Sequence, residues 1–142
     1  MVRRTVGLAL GLALAVLMVA GGAVSANSRI EREIVLRPTA AGQEIGASGD
    51  ARVRKDGARQ DLKVEIDANV ANGTVFRVFV TNAQFPGETN RVGRIVIAAG
   101  GGQLELSNEN GRVLPRGVAP VLQIQTVIVR DAAGRVVLRG SF

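Results

Sequence analysis

The sequence predicts an all-β domain, an antiparallel β-sandwich of seven or eight strands, preceded by a hydrophobic N-terminal signal helix. The run Asp61-Leu62-Lys63-Val64-Glu65-Ile66-Asp67-Ala68 alternates charged and apolar residues, the period of a strand with one face buried. Beyond the first segment no apolar period of 3.6 residues lasts three turns, and 18 Gly in 142 residues interrupt the chain too often for long helices. Turn residues recur at intervals of roughly 8–14 residues, the spacing of short strands in stacked sheets.

The elements follow in order. Met1 to Arg4 is positive, Gly7 to Ala20 is apolar, and Val24-Ser25-Ala26 places small residues at the −3 and −1 positions of a cleavage site. This is the pattern of a secretory signal peptide, residues 1–26, cut between Ala26 and Asn27. Left uncut, Thr5 to Val24 is long enough, at about 20 residues, to remain as a membrane anchor. The expected location is therefore periplasmic or extracellular, with the membrane touched only through an uncleaved leader. Residues 27–142 then form one domain, with strands expected at 29–37, 49–55, 60–68, 74–82, 92–98, 103–107, 121–130 and 135–142.

Three hairpins have registers that can be argued. A two-residue turn at Asp56-Gly57 sets Ala51 opposite Leu62, Arg52 opposite Asp61 and Asp50 opposite Lys63, so that charges complement across the pair. A four-residue loop would instead set Arg52 against Lys63 and Asp50 against Glu65. A second turn through Ala99-Gly100-Gly101-Gly102 pairs Ile97 with Leu104 and Ile95 with Leu106. A third, Asp131-Ala132-Ala133-Gly134, has the Asp and Gly of a type I turn and pairs Val129 with Val136 and Val127 with Leu138. A closed barrel satisfies the same pattern.

Composition removes whole classes of chemistry. With no His and no Cys, the imidazole base, the thiolate nucleophile and the disulfide are missing, so packing alone must hold residues 27–142. No cofactor, metal or catalytic set is expected. Removing Arg3 and Arg4 from the 18 Lys+Arg leaves 16 against 12 acids, a net +4. That excess suits anionic surfaces, whereas 3% aromatic residues leave too few rings for the stacking platforms of nucleic-acid binding.

Each candidate site competes with a plainer role. Asp61, Glu65 and Asp67 share a strand face, but alternation with core positions makes them a solvated outer row rather than an acid–base pair. The serines have no activating base. Asn108, Glu109, Asn110 and Asp131 offer oxygens to calcium without the spacing of a helix-loop-helix calcium loop, and Gly100–Gly102 joins two strands rather than opening a phosphate-binding helix. Phe85, in the loop from Asn82 to Arg91, caps the domain; that loop and Ser107 to Pro120 are the longest, where recognition would reside. Arginine is the distinctive residue: Arg52, Arg54, Arg77, Arg94, Arg130, Arg135 and Arg139 all fall on expected strands. Arg52, Arg54, Arg77 and Arg94 are the anion-binding candidates, because guanidinium groups grip carboxylate and phosphate in two-point contacts.

The runs Ser48-Gly49-Asp50-Ala51-Arg52-Val53, Leu62-Lys63-Val64-Glu65-Ile66, Val75-Phe76-Arg77-Val78-Phe79-Val80 and Gly134 to Phe142 resemble small exported bacterial domains of the chordin-repeat (CHRD)-like and immunoglobulin-like kind. The histidine segment that chordin-like repeats often carry is absent. The resemblance implies an extracytoplasmic, non-enzymatic β-sandwich, with no residue roles to transfer. The function expected is a binding or structural module of the cell envelope, working through sheet-edge pairing or its longer loops, with a partner the sequence does not identify, an anionic envelope polymer and another envelope protein being the candidates; the alternative is an anion-binding module that recognises acidic envelope polymers through its arginines.

Overall fold

In the computed structural model, residues 28–142 are described; the expected signal segment, with its Ala26–Asn27 cleavage site, lies outside them. The chain runs β1 (Arg29–Pro38), α1 (Ala40–Glu44), β2 (Ser48–Asp56), β3 (Arg59–Asp67), β4 (Val75–Asn82), β5 (Asn90–Val96), β6 (Gly101–Ser107), β7 (Ile124–Arg130) and β8 (Val136–Ser141). All eight expected strands are present. Their alternation does what the sequence demands: in β4, Phe76, Val78 and Val80 are buried while Val75, Arg77, Phe79 and Thr81 face the other way. Among the described residues no helix is long and apolar enough to cross a membrane.

The strands form one antiparallel sheet in the order β5-β4-β7-β8-β1-β2-β3-β6. β1 joins two groups. Its residues Arg29 to Leu36 pair with β2, and only Arg37 and Pro38 pair with β8. The end strands β5 and β6 meet without a ladder, bridged by Ala98 and Gly101 alone, so the sheet is nearly closed. A Cβ on Gly102 would lie 2.5 Å from Ile95 Cγ2, which shows how closely the two strands approach there. The enclosed core includes Leu36, Val53, Leu62, Val64, Phe76, Val78, Ile95, Val127 and Leu138. Each such side chain contributes about 1.5–3 kcal/mol by leaving water.

Three registers differ from expectation. β2 and β3 turn through Gly57 and Ala58, pairing Asp56 with Arg59, so Arg52 faces Lys63 and Asp50 faces Glu65. Only Gly57 has positive φ (59°), as in a turn that needs Gly at its first central position. The slip from the expected pairing is two residues, which leaves every side chain on its own face. The like-charge pairs are offset by Arg54 facing Asp61, an ion pair at 2.6 Å. β5 and β6 do not pair Ile97 with Leu104: β5 turns to β4 and β6 to β3. The Asp131–Gly134 turn is present, but an irregularity beside Arg130 pairs Val129 with Leu138 and Val127 with Gly140. β7 also starts three residues late, because Val121–Gln123 form a 3-10 turn after Pro120.

The unforeseen helix α1 is capped by Thr39, whose hydroxyl accepts from the Gly42 N–H. It packs so closely on β8 that a Cβ on Gly42 would overlap the Val137 carbonyl. Beside it an apolar cavity of about 240 Å³ opens between α1 and the β7–β8 turn, floored by Phe76 and Val137, with Asp131 and Arg135 among its lining residues.

Candidate functional site

The outward face of β5, β4, β7, β8 and the end of β1 is made by residues whose neighbours point into the core. One cross-strand row is Arg94–Arg77–Arg130 and the next is Arg91–Phe79–Ile128–Arg139–Arg37. Directly paired residues of antiparallel strands sit about 4.5–5.5 Å apart at their Cα atoms and share a face. Arg91 and Arg94, three apart, would point oppositely along a regular strand. The irregularity opposite Val78 and Phe79 turns the intervening Val92 and Gly93 inward, so both arginines emerge on one side.

Among the described residues, the six arginines of this face, Arg37, Arg77, Arg91, Arg94, Arg130 and Arg139, take part in no ion pair, nor do Arg32 on β1 and Arg112 in a loop, whereas Arg29, Arg52, Arg54, Arg59, Arg116 and Arg135 do. No acid stands in either row. Other outward positions around the rows include the apolar or hydroxylic Val75, Val96, Thr81, Thr126 and Ser141. Arg130 lies over the Phe79 ring, its guanidinium carbon 4.8 Å from the centroid, an attraction that holds the cation in place. Its Nε is buried and has no hydrogen-bond partner.

The four arginines singled out from sequence are thus divided. Arg77 and Arg94 are direct neighbours on this face. Arg52 and Arg54 lie on β2, in the other strand group, where Arg52 meets Glu31 at 3.3 Å and Arg54 meets Asp61. Arg130 and Arg139, expected as strand arginines, join Arg77 and Arg94, while Arg135 pairs with Asp131 in the turn. Sequence reasoning missed Arg37 and Arg91. Arg37 sits at a strand end, and the irregularity that turns Arg91 outward has no signature in alternation beyond Gly93 itself.

The other strand group carries charges of both signs. Asp61, expected in solvent, is only 7% exposed. Burial alone would raise its pKa; hydrogen bonds from Ser107, Arg54 and Arg59 more than offset this and hold the carboxyl below its ordinary value. A carboxylate so fixed in its charged form is ill suited to donating a proton. Glu65, half-exposed, is also lowered, by Lys63. Asp50 moves the other way, raised by burial and then by the charges of Glu65 and Glu33.

The calcium candidates are engaged separately. Asn108 bonds the Gln60 and Ala58 backbone, Glu109 pairs with Arg59, and Asp131 binds Arg135. Among the described residues no three His, Cys, Asp or Glu side chains cluster as a ligand set. Phe85 is half-buried under Arg116, 4.3 Å from the ring centroid, and Arg116 in turn grips Glu88 at two points.

The chain matches no protein-family model, no curated protein sequence and no solved structure.

Proposed function

We propose that this chain is an exported, non-enzymatic binding module of the cell envelope, and that its working surface is the arginine face, which takes acidic polymers. The observation that carries the reading is the gathering of six arginines with no acidic partner on one side of the sheet. Like charges side by side oppose one another and lower the stability of the free protein, and a polyanion relieves that repulsion while releasing its own counterions. The leader-like first 26 residues support export. The two strand groups that share β1 support an immunoglobulin-like sandwich, one layer cationic outside and the other of mixed charge.

The test is elution from a sulfated-polysaccharide matrix in a salt gradient, with two variants of equal net charge. Arg77→Gln/Arg130→Gln removes two charges from the face; Arg29→Gln/Arg52→Gln removes two from the mixed layer. The first should elute at clearly lower salt than the unmodified protein, since each lost contact means fewer counterions released and a weaker salt dependence, and the second should stay close to it. Equal elution of both variants would refute the reading.

A further inference from the structure

Within that face, three permanent cations stand on adjacent strands: Arg94, Arg77 and Arg130 are paired in register across β5, β4 and β7. Arg130 is the fixed member. Phe79 occupies one face of its guanidinium, which leaves the in-plane N–H edge to make contacts, and its buried Nε–H is unsatisfied. An unmet buried donor is unfavourable, and a small shift of the Arg130 side chain towards a ligand oxygen gives this one the acceptor it lacks. A carboxylate or a sulfate ester brings one negative charge to such a site. A phosphate monoester brings close to two, with three acceptor oxygens around one tetrahedral centre, and arginine forks match that geometry.

Resting on the polymer-binding reading above, we propose that Arg77 and Arg130, with Arg94 beside them and Phe79 beneath, form a subsite for a phosphate monoester dianion carried by the acidic polymer. The chain contains no His, the side chain whose ordinary pKa falls between pH 5 and 8. Arginine is charged throughout that range. No acid stands in either arginine row, and glucose 6-sulfate, charged throughout, reports any titration of the protein itself, so a pH dependence confined to the phosphate probe reports the ligand's own second ionisation, which lies at about 6 for a phosphate monoester.

Three probes on one sugar separate the chemistries: glucose 6-phosphate, glucose 6-sulfate and glucuronate. Binding to the full chain is followed by calorimetry and by the arginine Nε–H signals in NMR, at pH 5 and pH 7.5. Glucose 6-phosphate should bind about tenfold more tightly at pH 7.5, the ratio of its dianion fractions for a pKa of about 6. The other two should bind more weakly and alike at both pH values, and the Arg130 Nε–H signal should move with the phosphate probe. Arg130→Lys, which keeps the charge but loses the fork, should weaken phosphate binding; Arg52→Gln should leave it unchanged. Equal affinity for the three probes, pH-independent phosphate binding, or an unresponsive Arg130 would overturn the subsite. If elution still separates the two double variants, the subsite alone falls. If it does not, the polymer-binding reading falls as well.

Discussion

Replacing Asp61 by Asn keeps the side-chain volume and removes one charge from the most interconnected carboxylate of the β1–β2–β3–β6 strand group. Its oxygens accept from Arg54 at 2.8 Å and Arg59 at 3.1 Å, with Ser107 as a further donor. A hydrogen bond to a charged group is worth about 1.5–3 kcal/mol when buried. The Arg59 side chain is 39% exposed, so solvent screening discounts its share, and the amide oxygen of the variant can still accept one bond. A loss of about 2 kcal/mol at pH 7 follows, on the order of an 8 °C fall in Tm for a domain of this size. The acid dependence gives a second check. A carboxyl held below its unfolded pKa stabilises the fold above about pH 4, and that contribution disappears as pH falls through the lower, folded value. The gap between the two proteins should therefore narrow from pH 7 toward pH 2.5. With neither Trp nor Tyr in the chain, urea unfolding is best followed by far-UV circular dichroism. A variant within about 0.5 kcal/mol of the parent at pH 7, the ordinary scatter of surface substitutions, or a gap unchanged at pH 2.5, would refute the reasoning.

Leu62 is wholly buried, so Leu62→Ala should cost about 2–5 kcal/mol in urea unfolding, the range for truncating a core leucine. Gly102→Ala would place its Cβ 2.5 Å from Ile95 Cγ2 and 2.9 Å from the Val96 carbonyl oxygen, and backbone cannot yield easily; about 1–3 kcal/mol of destabilisation should appear as a lower Tm. Asn82 is buried and donates to the Gly117 and Pro120 carbonyls, pinning the long loop against β4. Asn82→Ala should cost about 1–3 kcal/mol and speed proteolysis between residues 107 and 120.

Much of the fold was legible because alternation is a local property. Each strand shows which residues go inward, and the eight runs needed no knowledge of their partners. Register is not local. A slip of two residues in β2–β3 moves Arg52 from Asp61 to Lys63 while leaving Ala51 and Leu62 buried, so hydrophobic pattern cannot choose between the two. Counting charges favoured Arg52–Asp61; the chain instead places Arg54 and Arg59 around Asp61 and lets Gly57 take the left-handed turn position. The separation of β5 from β6 is a matter of which strand each finds across the sheet, and the adjacent apolar runs equally suited a simple hairpin. The arginine face shows the same division. Arg77 and Arg94 could be named as outward strand residues, but their meeting with Arg130, Arg139, Arg91 and Arg37 depends on strand order and on one irregular pairing.

The uneven placement of charge has a further consequence, for how the molecule arrives at a surface. With six arginines and no acid in their rows on one side and charges of both signs on the other, the protein carries a permanent dipole between the two. If the proposed polyanion is the partner, this dipole exerts a torque that turns the arginine side inward before contact, over distances of about a Debye length, 8–10 Å at physiological salt. Seated in that way, the molecule would show the surroundings its β1–β2–β3–β6 side, where Arg29, Arg52, Arg54 and Lys63 already have acidic neighbours. Such an outer side offers the next copy little to hold. Adsorption on an acidic polymer should stop at a single oriented layer, and saturate at a coverage set by the footprint of that face.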